Sequence, residues 1–193
     1  PPSLLISAMG QVADVAKCVT MDLKEVGNPL YLVGSTRREL GGSHLLSVLG
    51  LSGGAVPQVD VNSAKTIFEQ VHAAIDGGLV RACHDLSEGG LAVAFAEMSF
   101  AGQLGADMDI AAAQQASGLN AVELLFAESN SRFLIEVDAS KQSEWESLMS
   151  NVAYVRLGSV TGGEQVVVRS GKEVCVDKPW SELFDAWHQP LDW

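Results

Sequence analysis

The sequence predicts a mixed α/β (α+β) domain, a mixed β-sheet with helices packed against it. Three observations carry that expectation. Between Asn62 and Asp76 the apolar residues Ile67, Val71 and Ile75 recur every four positions on one helical face. Gly77-Gly78 then stops the helix, and Leu79–Cys83 follows as a short strand. Next, His84–Gly90 leads from that strand into the apolar helical run Leu91–Met98. Further along, Arg132–Asp138 alternates as a half-buried strand does, with Phe133, Ile135 and Val137 on one face. Helices and strands interleave without a repeated βαβ unit, so the sheet is expected to be mixed.

The elements follow in order. Ser3–Met9 reads as an isolated strand, and residues 1–20 as an arm leading into a domain of residues 21–193. Asn28-Pro29 marks a turn before the strand Leu30–Val33. Ser43–Leu49 makes a short helix after Gly41-Gly42, and Asn62 or Ser63 caps the long one. Leu91, Phe95 and Met98 share a face of a helix that is apolar on other faces too, which predicts a central position. Residues 102–118 are rich in small side chains, with a short helix over Ala111–Ala113. Ser140–Val152 is expected to be one helix carrying Trp145, Leu148 and Met149. Tyr154–Val160 and Gln165–Arg169 read as a hairpin through Thr161-Gly162-Gly163, and Val174–Val176 as a last short strand. Trp180, Trp187 and Trp193 crowd the end of the chain, a composition that suits a domain contact and core packing equally.

Composition narrows the function. A chain of 193 residues is long enough for one domain with a real core. Twenty-four acidic residues against twelve basic ones give a net charge of −12, and Arg37-Arg38 is the densest basic cluster. Phosphate-backbone binding needs clustered cations, so nucleic acid is not an expected partner. The apolar runs Leu91–Ala96 and Leu124–Ala127 fall far short of the ~20 residues of a membrane helix. With no basic-then-apolar leader, a cytoplasmic location and no membrane contact are expected. Cys18, Cys83 and Cys175 are widely spaced and odd in number, which predicts buried reduced thiols rather than a zinc site. The start at Pro1-Pro2, without methionine, suggests an excised or processed product.

Three segments are suited to chemistry. In His84-Asp85-Leu86-Ser87-Glu88-Gly89-Gly90 a strand end, two glycines and a helix start turn backbone N–H groups outward together. Gly89 and Gly90 let the backbone approach a ligand, and Ser87 adds a hydroxyl. Asp85 and Glu88 repel naked phosphate. They suit magnesium between protein and phosphate, since magnesium takes oxygens from one or two carboxylates plus phosphate. A plain junction accounts for the same residues, with Asp85 or Ser87 as N-cap, Glu88 at the positive helix end and His84 as a hydrogen-bonded structural residue. In Glu128-Ser129-Asn130-Ser131-Arg132, the arginine at a strand start can hold phosphate or carboxylate in a fork, with Ser129 and Asn130 as further donors. The alternative is a turn between two strands with a surface ion pair. In Arg37–Ser43, Gly41, Gly42 and Ser43 can cradle an anion or simply begin a helix. No Walker lysine motif, nucleophile elbow or metal triad is present.

Together these stretches resemble the ATP-binding subunit II of the phosphoribosylformylglycinamidine synthase family, in the second of its two aminoimidazole-ribonucleotide-synthase-like halves. HDLSEGGLAVA at 84–94, with Ala96-Glu97-Met98, carries the most specific part of the likeness. ELGGS at 39–43, Phe126–Ser129 with Arg132-Phe133, and Gly158 with Val160-Thr161 add to it. Pro1–Val15 looks like the connection from a preceding nucleotide-binding half. Members often carry Asp where Glu88 stands and Gly or another residue at Asn130-Ser131.

The resemblance implies an AIR synthase C-terminal-domain-like fold. It also implies ATP-driven conversion of formylglycinamide ribonucleotide, with glutamine-derived ammonia, to its amidine. Mg2+ and ATP/ADP would be held jointly with domains outside this chain. No catalytic residue falls in this half, which would be inactive alone. By pseudo-symmetry the nucleotide and phosphate contacts fall on Gly41, Gly42, Ser43, His84, Ser87, Gly89, Gly90, Glu128, Ser129 and Arg132, and the magnesium ligands on Asp85 and Glu88. Implied partners are the amino-terminal halves of the same synthase, a glutaminase subunit and a small accessory subunit; an isolated half is expected to self-associate as a homodimer. Selenophosphate synthetase, thiamine-monophosphate kinase and hydrogenase-maturation proteins share the domain design but are not expected to combine HDLSEGGLAVA with ELGGS. A purely structural half, its acidic loop capping a helix, would have no nucleotide affinity.

Overall fold

The computed structural model describes residues 5–191. Its strands are β1 (Pro29–Val33), β2 (Val80–Asp85), β3 (Gly105–Asp109), β4 (Phe133–Val137), β5 (Tyr154–Thr161), β6 (Gln165–Ser170) and β7 (Glu173–Pro179). Among the described residues they form one sheet in the order β2-β4-β1-β5-β3-β6-β7. Every neighbouring pair is antiparallel except β3 with β6. Successive side chains of a strand point to opposite faces, and β1 shows the result. Leu30 and Leu32 enter one core, while Tyr31 and Val33 enter the other.

Helices cover both faces. Ile67, Val71 and Ala74 of α2 (Val61–Asp76) and Trp145 of α6 (Gln142–Leu148) pack with Tyr31, Val33, Ile135 and Val137. On the other face lie α3 (Gly90–Gly102), α4 (Ala111–Ser117) and α5 (Ala121–Phe126). Leu91, Phe95 and Met98 are fully buried, as the all-round apolar pattern of α3 predicts. The terminal tryptophans belong mostly to a further helix, α7 (Trp180–His188), which docks on α3. Phe100 meets Phe184 and Trp187 there with ring centroids 5.6 and 5.5 Å apart. Trp193 lies outside the described residues.

Several expectations are corrected. Leu5–Met9 forms no strand; Leu5, Ile6 and Met9 are exposed and have no neighbouring strand to pair with, while Ser3 and Leu4 lie outside the described residues. The long helix is capped by Asp60, not Asn62 or Ser63, because the Asp60 carboxylate accepts from both of their amides at 3.1 and 3.2 Å. Tyr154–Thr161 and Gln165–Ser170 are not a hairpin: β3 lies between them, and Gly105 N donates to Gly163 O at 2.7 Å. The hairpin is instead β6–β7, turned through Gly171 at φ +63°. The helix expected over 140–152 is α6 with 3-10 turns at Ala139–Lys141 and Met149–Asn151 on either side. Only Cys83 is partly buried, and burial pushes its thiol pKa up to about 12; Cys18 and Cys175 are exposed. Among the described residues no helix is long and apolar enough to cross a membrane.

Candidate functional site

The three segments meet at one edge of the sheet, where β1 and β2 end and β4 begins. β2 runs two residues further than expected, so His84 and Asp85 are strand residues opposite Leu134 and Phe133. Leu86 N then donates to Arg132 O at 3.0 Å. Glu128 N donates to Glu39 O at 3.2 Å. The Glu128 carboxylate accepts from Gly89 N and from His44 N, both at 2.9 Å. Ser129 Oγ accepts from Arg37 N at 3.0 Å. The segment 128–132 therefore follows a helix, α5, and is not a turn between two strands. The Asn120–Glu123 capping box starts that helix.

Gly89 and Gly90 serve packing. Gly89 is the N-cap of α3 at φ +75°, with no side-chain cap, so neither Asp85 nor Ser87 caps the helix. Gly90 has φ +64°, and a Cβ there would lie 2.5 Å from Ala127 O. The amide at the positive end of α3 faces Glu128, an internal carboxylate in the place where an external anion was expected. In the 37–43 segment Gly41 packs its α-carbon against Gly54 and Ala55. Gly42 is exposed at φ +79°. Ser43 is buried and caps α1 (His44–Val48).

Arg132 turns inward. Only 1% exposed, it donates to Ser129 O at 2.8 Å, Ala127 O at 2.6 Å and Thr36 Oγ1 at 3.0 Å. Burial pulls its pKa down to about 10, against the opposing pull of Glu39 and Glu128. Its fork is closed on the protein's own acceptors, contrary to the expectation of an outward phosphate fork. His84 Nε2 lies 2.8 Å from Glu97 Oε2 and its Nδ1 3.5 Å from Asp85 Oδ1, so the imidazole sits between two carboxylates.

What remains accessible is an open cleft of about 420 Å³. Asp85, Ser87 and Glu88 are its exposed polar wall, with Glu128, Asn130 and Ser131 beside them. Phe68, Phe133, Pro57 and Leu86 line it as well. Ser131 adopts φ +58°, an uncommon conformation for a residue with a side chain. Sequence reasoning missed Phe68 and Phe133 as site residues; the available signal was an aromatic beside, not on, the buried stripe of α2. It also missed Glu39, whose Oε2 is buried without a partner among the described residues.

An anion entering the cleft unaccompanied would meet negative charge. Three carboxylates, Asp85, Glu88 and Glu128, line the cleft, and its one cationic side chain is buried. Among the described residues no group of three His, Cys, Asp or Glu side chains is placed to hold a metal unaided. Asp85 and Glu88 are exposed carboxylates, the oxygen type that a hard divalent ion takes.

The family model for AIR synthase related protein, C-terminal domain, matches residues 25–171. The chain is 35% identical over 173 residues to phosphoribosylformylglycinamidine synthase subunit PurL of Thermococcus sibiricus, covering 90% of this chain but only 24% of that relative. Thermotoga maritima PurL complexed with FGAR shares the fold at a TM-score of 0.75 and 20% identity, over 88% of this chain and 30% of that one. Its complex with ATP superposes at 0.70 and 19% identity, over 88% and 27%. With the family match running from ahead of β1 through β6, and with the fold shared by these neighbours, the chain belongs to the family of AIR synthase related proteins as their C-terminal domain.

Proposed function

We propose that this chain is the C-terminal AIR-synthase-like domain of an ATP-dependent phosphoribosylformylglycinamidine synthase, and that its cleft is an auxiliary magnesium–nucleotide site. One observation carries the second part: the 84–90 and 128–132 segments, distant in sequence, line one cleft whose exposed polar wall is carboxylate, not cation. Gly41, Gly42 and Ser43 stay outside it, and the 37–43 segment only backs it through hydrogen bonds to Glu128 and Ser129. In that reading Asp85 and Glu88 supply hard oxygens to Mg2+, which neutralises phosphate charge when bound. Ser87 offers a hydroxyl to a phosphate oxygen. Glu128 holds the α3 and α1 amides together and so fixes the wall on which Asp85 and Glu88 stand. The groups that activate the amide of formylglycinamide ribonucleotide would belong to domains outside this chain.

The relatives support this assignment. The Thermococcus protein is a synthase subunit, and the Thermotoga protein is known with FGAR, with ATP and as PurLQS. By analogy the partners are the amino-terminal halves of the same polypeptide, a glutaminase and a small accessory subunit, working together in the cytoplasm. The reaction would be ATP-dependent ligation of ammonia to the amide carbon in purine biosynthesis.

Calorimetry on the full synthase polypeptide tests the site. Mg–ADP is expected to bind a site that Asp85→Ala removes. Unchanged binding in that variant would make the cleft structural.

A further inference from the structure

Resting on the nucleotide reading above, we propose that Phe68, braced edge to face by Phe133, presents a stacking platform for the base, so that the cleft selects a planar heteroaromatic group at one end and magnesium-bridged phosphate at the other. The lining divides by chemistry into an apolar group, Pro57, Phe68 and Phe133, and the acidic wall of Asp85, Ser87 and Glu88. The volume of about 420 Å³ falls within the ~300–1,000 Å³ typical of small-ligand pockets.

The strand register ties the two ends together. Phe133 and Asp85 are direct partners in the antiparallel β2–β4 pair, and such partners project their side chains on the same face. The aromatic and the carboxylate therefore stand side by side on one rigid scaffold. Phe68 comes from α2, next to Ile67, which is buried in the core. Its ring meets that of Phe133 edge to face, with centroids 5.9 Å apart at 79°, yet remains 50% exposed. An aromatic positioned by another aromatic and still half open to solvent offers a fixed apolar surface.

The charge argues for a nucleotide over a second copy of this chain. A chain with a net charge of −12 would bring more negative charge to a wall already carrying Asp85, Glu88 and Glu128. A nucleotide arrives with its phosphate charge offset in part by magnesium and presents a neutral planar base to the ring.

The test uses the full synthase polypeptide, Mg–ADP and two partial ligands. Phe68→Ala and Phe68→Leu should each weaken Mg–ADP binding about tenfold or more, the loss expected when one stacked aromatic is removed. Mg–pyrophosphate, which has no base, should bind both variants as it binds the wild type. In Phe68→Trp, adenosine should quench the added indole fluorescence, and ribose 5-phosphate should not. Undiminished Mg–ADP affinity in Phe68→Ala overturns the platform, even if Asp85→Ala abolishes binding and so upholds the magnesium site. Adenosine quenching in Phe68→Trp, in a protein whose Mg–ADP affinity ignores Asp85→Ala, supports the platform and removes the acidic wall from the reading. An Mg–pyrophosphate affinity that falls with Mg–ADP in Phe68→Ala also overturns the platform, since the loss would then not concern the base.

Discussion

Replacing Arg132 separates a structural guanidinium from a ligand-binding one. The side chain is 1% exposed and serves three acceptors: Ala127 O, Ser129 O and Thr36 Oγ1. Arg132→Met keeps most of the bulk but leaves these acceptors unpaired and Glu39 without its neighbouring positive charge. Removing one member of such a buried charged set costs about 3–5 kcal/mol. That is a large part of the roughly 5–15 kcal/mol that holds a domain folded. Arg132→Lys keeps the charge but loses the fork, and about 2 kcal/mol is expected. Urea unfolding followed by far-UV circular dichroism reads both. With a slope of roughly 2 kcal/mol per molar, the Met variant should lose about 1.5–2.5 M in midpoint. The slope itself should stay unchanged. A midpoint shift of a few tenths of a molar, combined with loss of Mg–ADP binding, would refute the structural assignment and return Arg132 to the ligand.

Other outcomes follow from the same geometry. Gly90→Ala places a Cβ 2.5 Å from Ala127 O at φ +64°, and it should destabilise by about 3 kcal/mol in the same urea assay; a cost below 1 kcal/mol would contradict the close packing of α3 on the 125–127 backbone. Ser131→Gly should stabilise by roughly 0.5–1 kcal/mol through relief of its left-handed backbone, and destabilisation would mean that its hydroxyl holds the loop. Asp60 is held below the usual carboxylate range by the Ser63 amide and hydroxyl and the Asn62 amide, and Asp109 by the Gly171 and Ala111 amides. Asp138 is lowered by the Ser140 hydroxyl and amide. Because these folded-state pKa values are depressed, their contribution is complete above the unfolded value of about 4 and is lost as pH falls through the folded values. The urea midpoint should therefore be level near neutrality and fall below about pH 4. Asp60→Asn should flatten part of that fall, and an unchanged acid limb would place the titrating group elsewhere.

Much of the fold was legible where local pattern and tertiary role agree. The Ile67–Val71 stripe of α2, the all-round apolar α3 and the alternation of β4 each state their environment in their own residues. β3 does not. Its sequence GADMD buries only Gly105, Ala106 and Met108, and it is a strand because β5 and β6 lie on either side of it. The site was legible as three candidate segments but not as an arrangement. Glu128 reaches Gly89 across 39 residues, so the carboxylate facing α3 depends on tertiary proximity that no spacing rule records. Nor does an arginine at a strand start announce whether it points out to a ligand or in toward Ala127 and Thr36.

The strand order has a consequence for the birth of the molecule. β1 pairs with β4 and β5, β2 with β4, and β3 with β5 and β6; none of the first three strands pairs with another of them. A ribosome making this chain therefore releases β1, β2 and β3 before any of them has a partner, and sheet assembly waits for residue 133 and beyond. Such late, long-range pairing slows folding and leaves apolar strands open to wrong neighbours meanwhile. In the interval the nascent chain can form α2 and α3 but no sheet for them to cover, which makes β4, between β2 and β1, the strand whose arrival begins the domain.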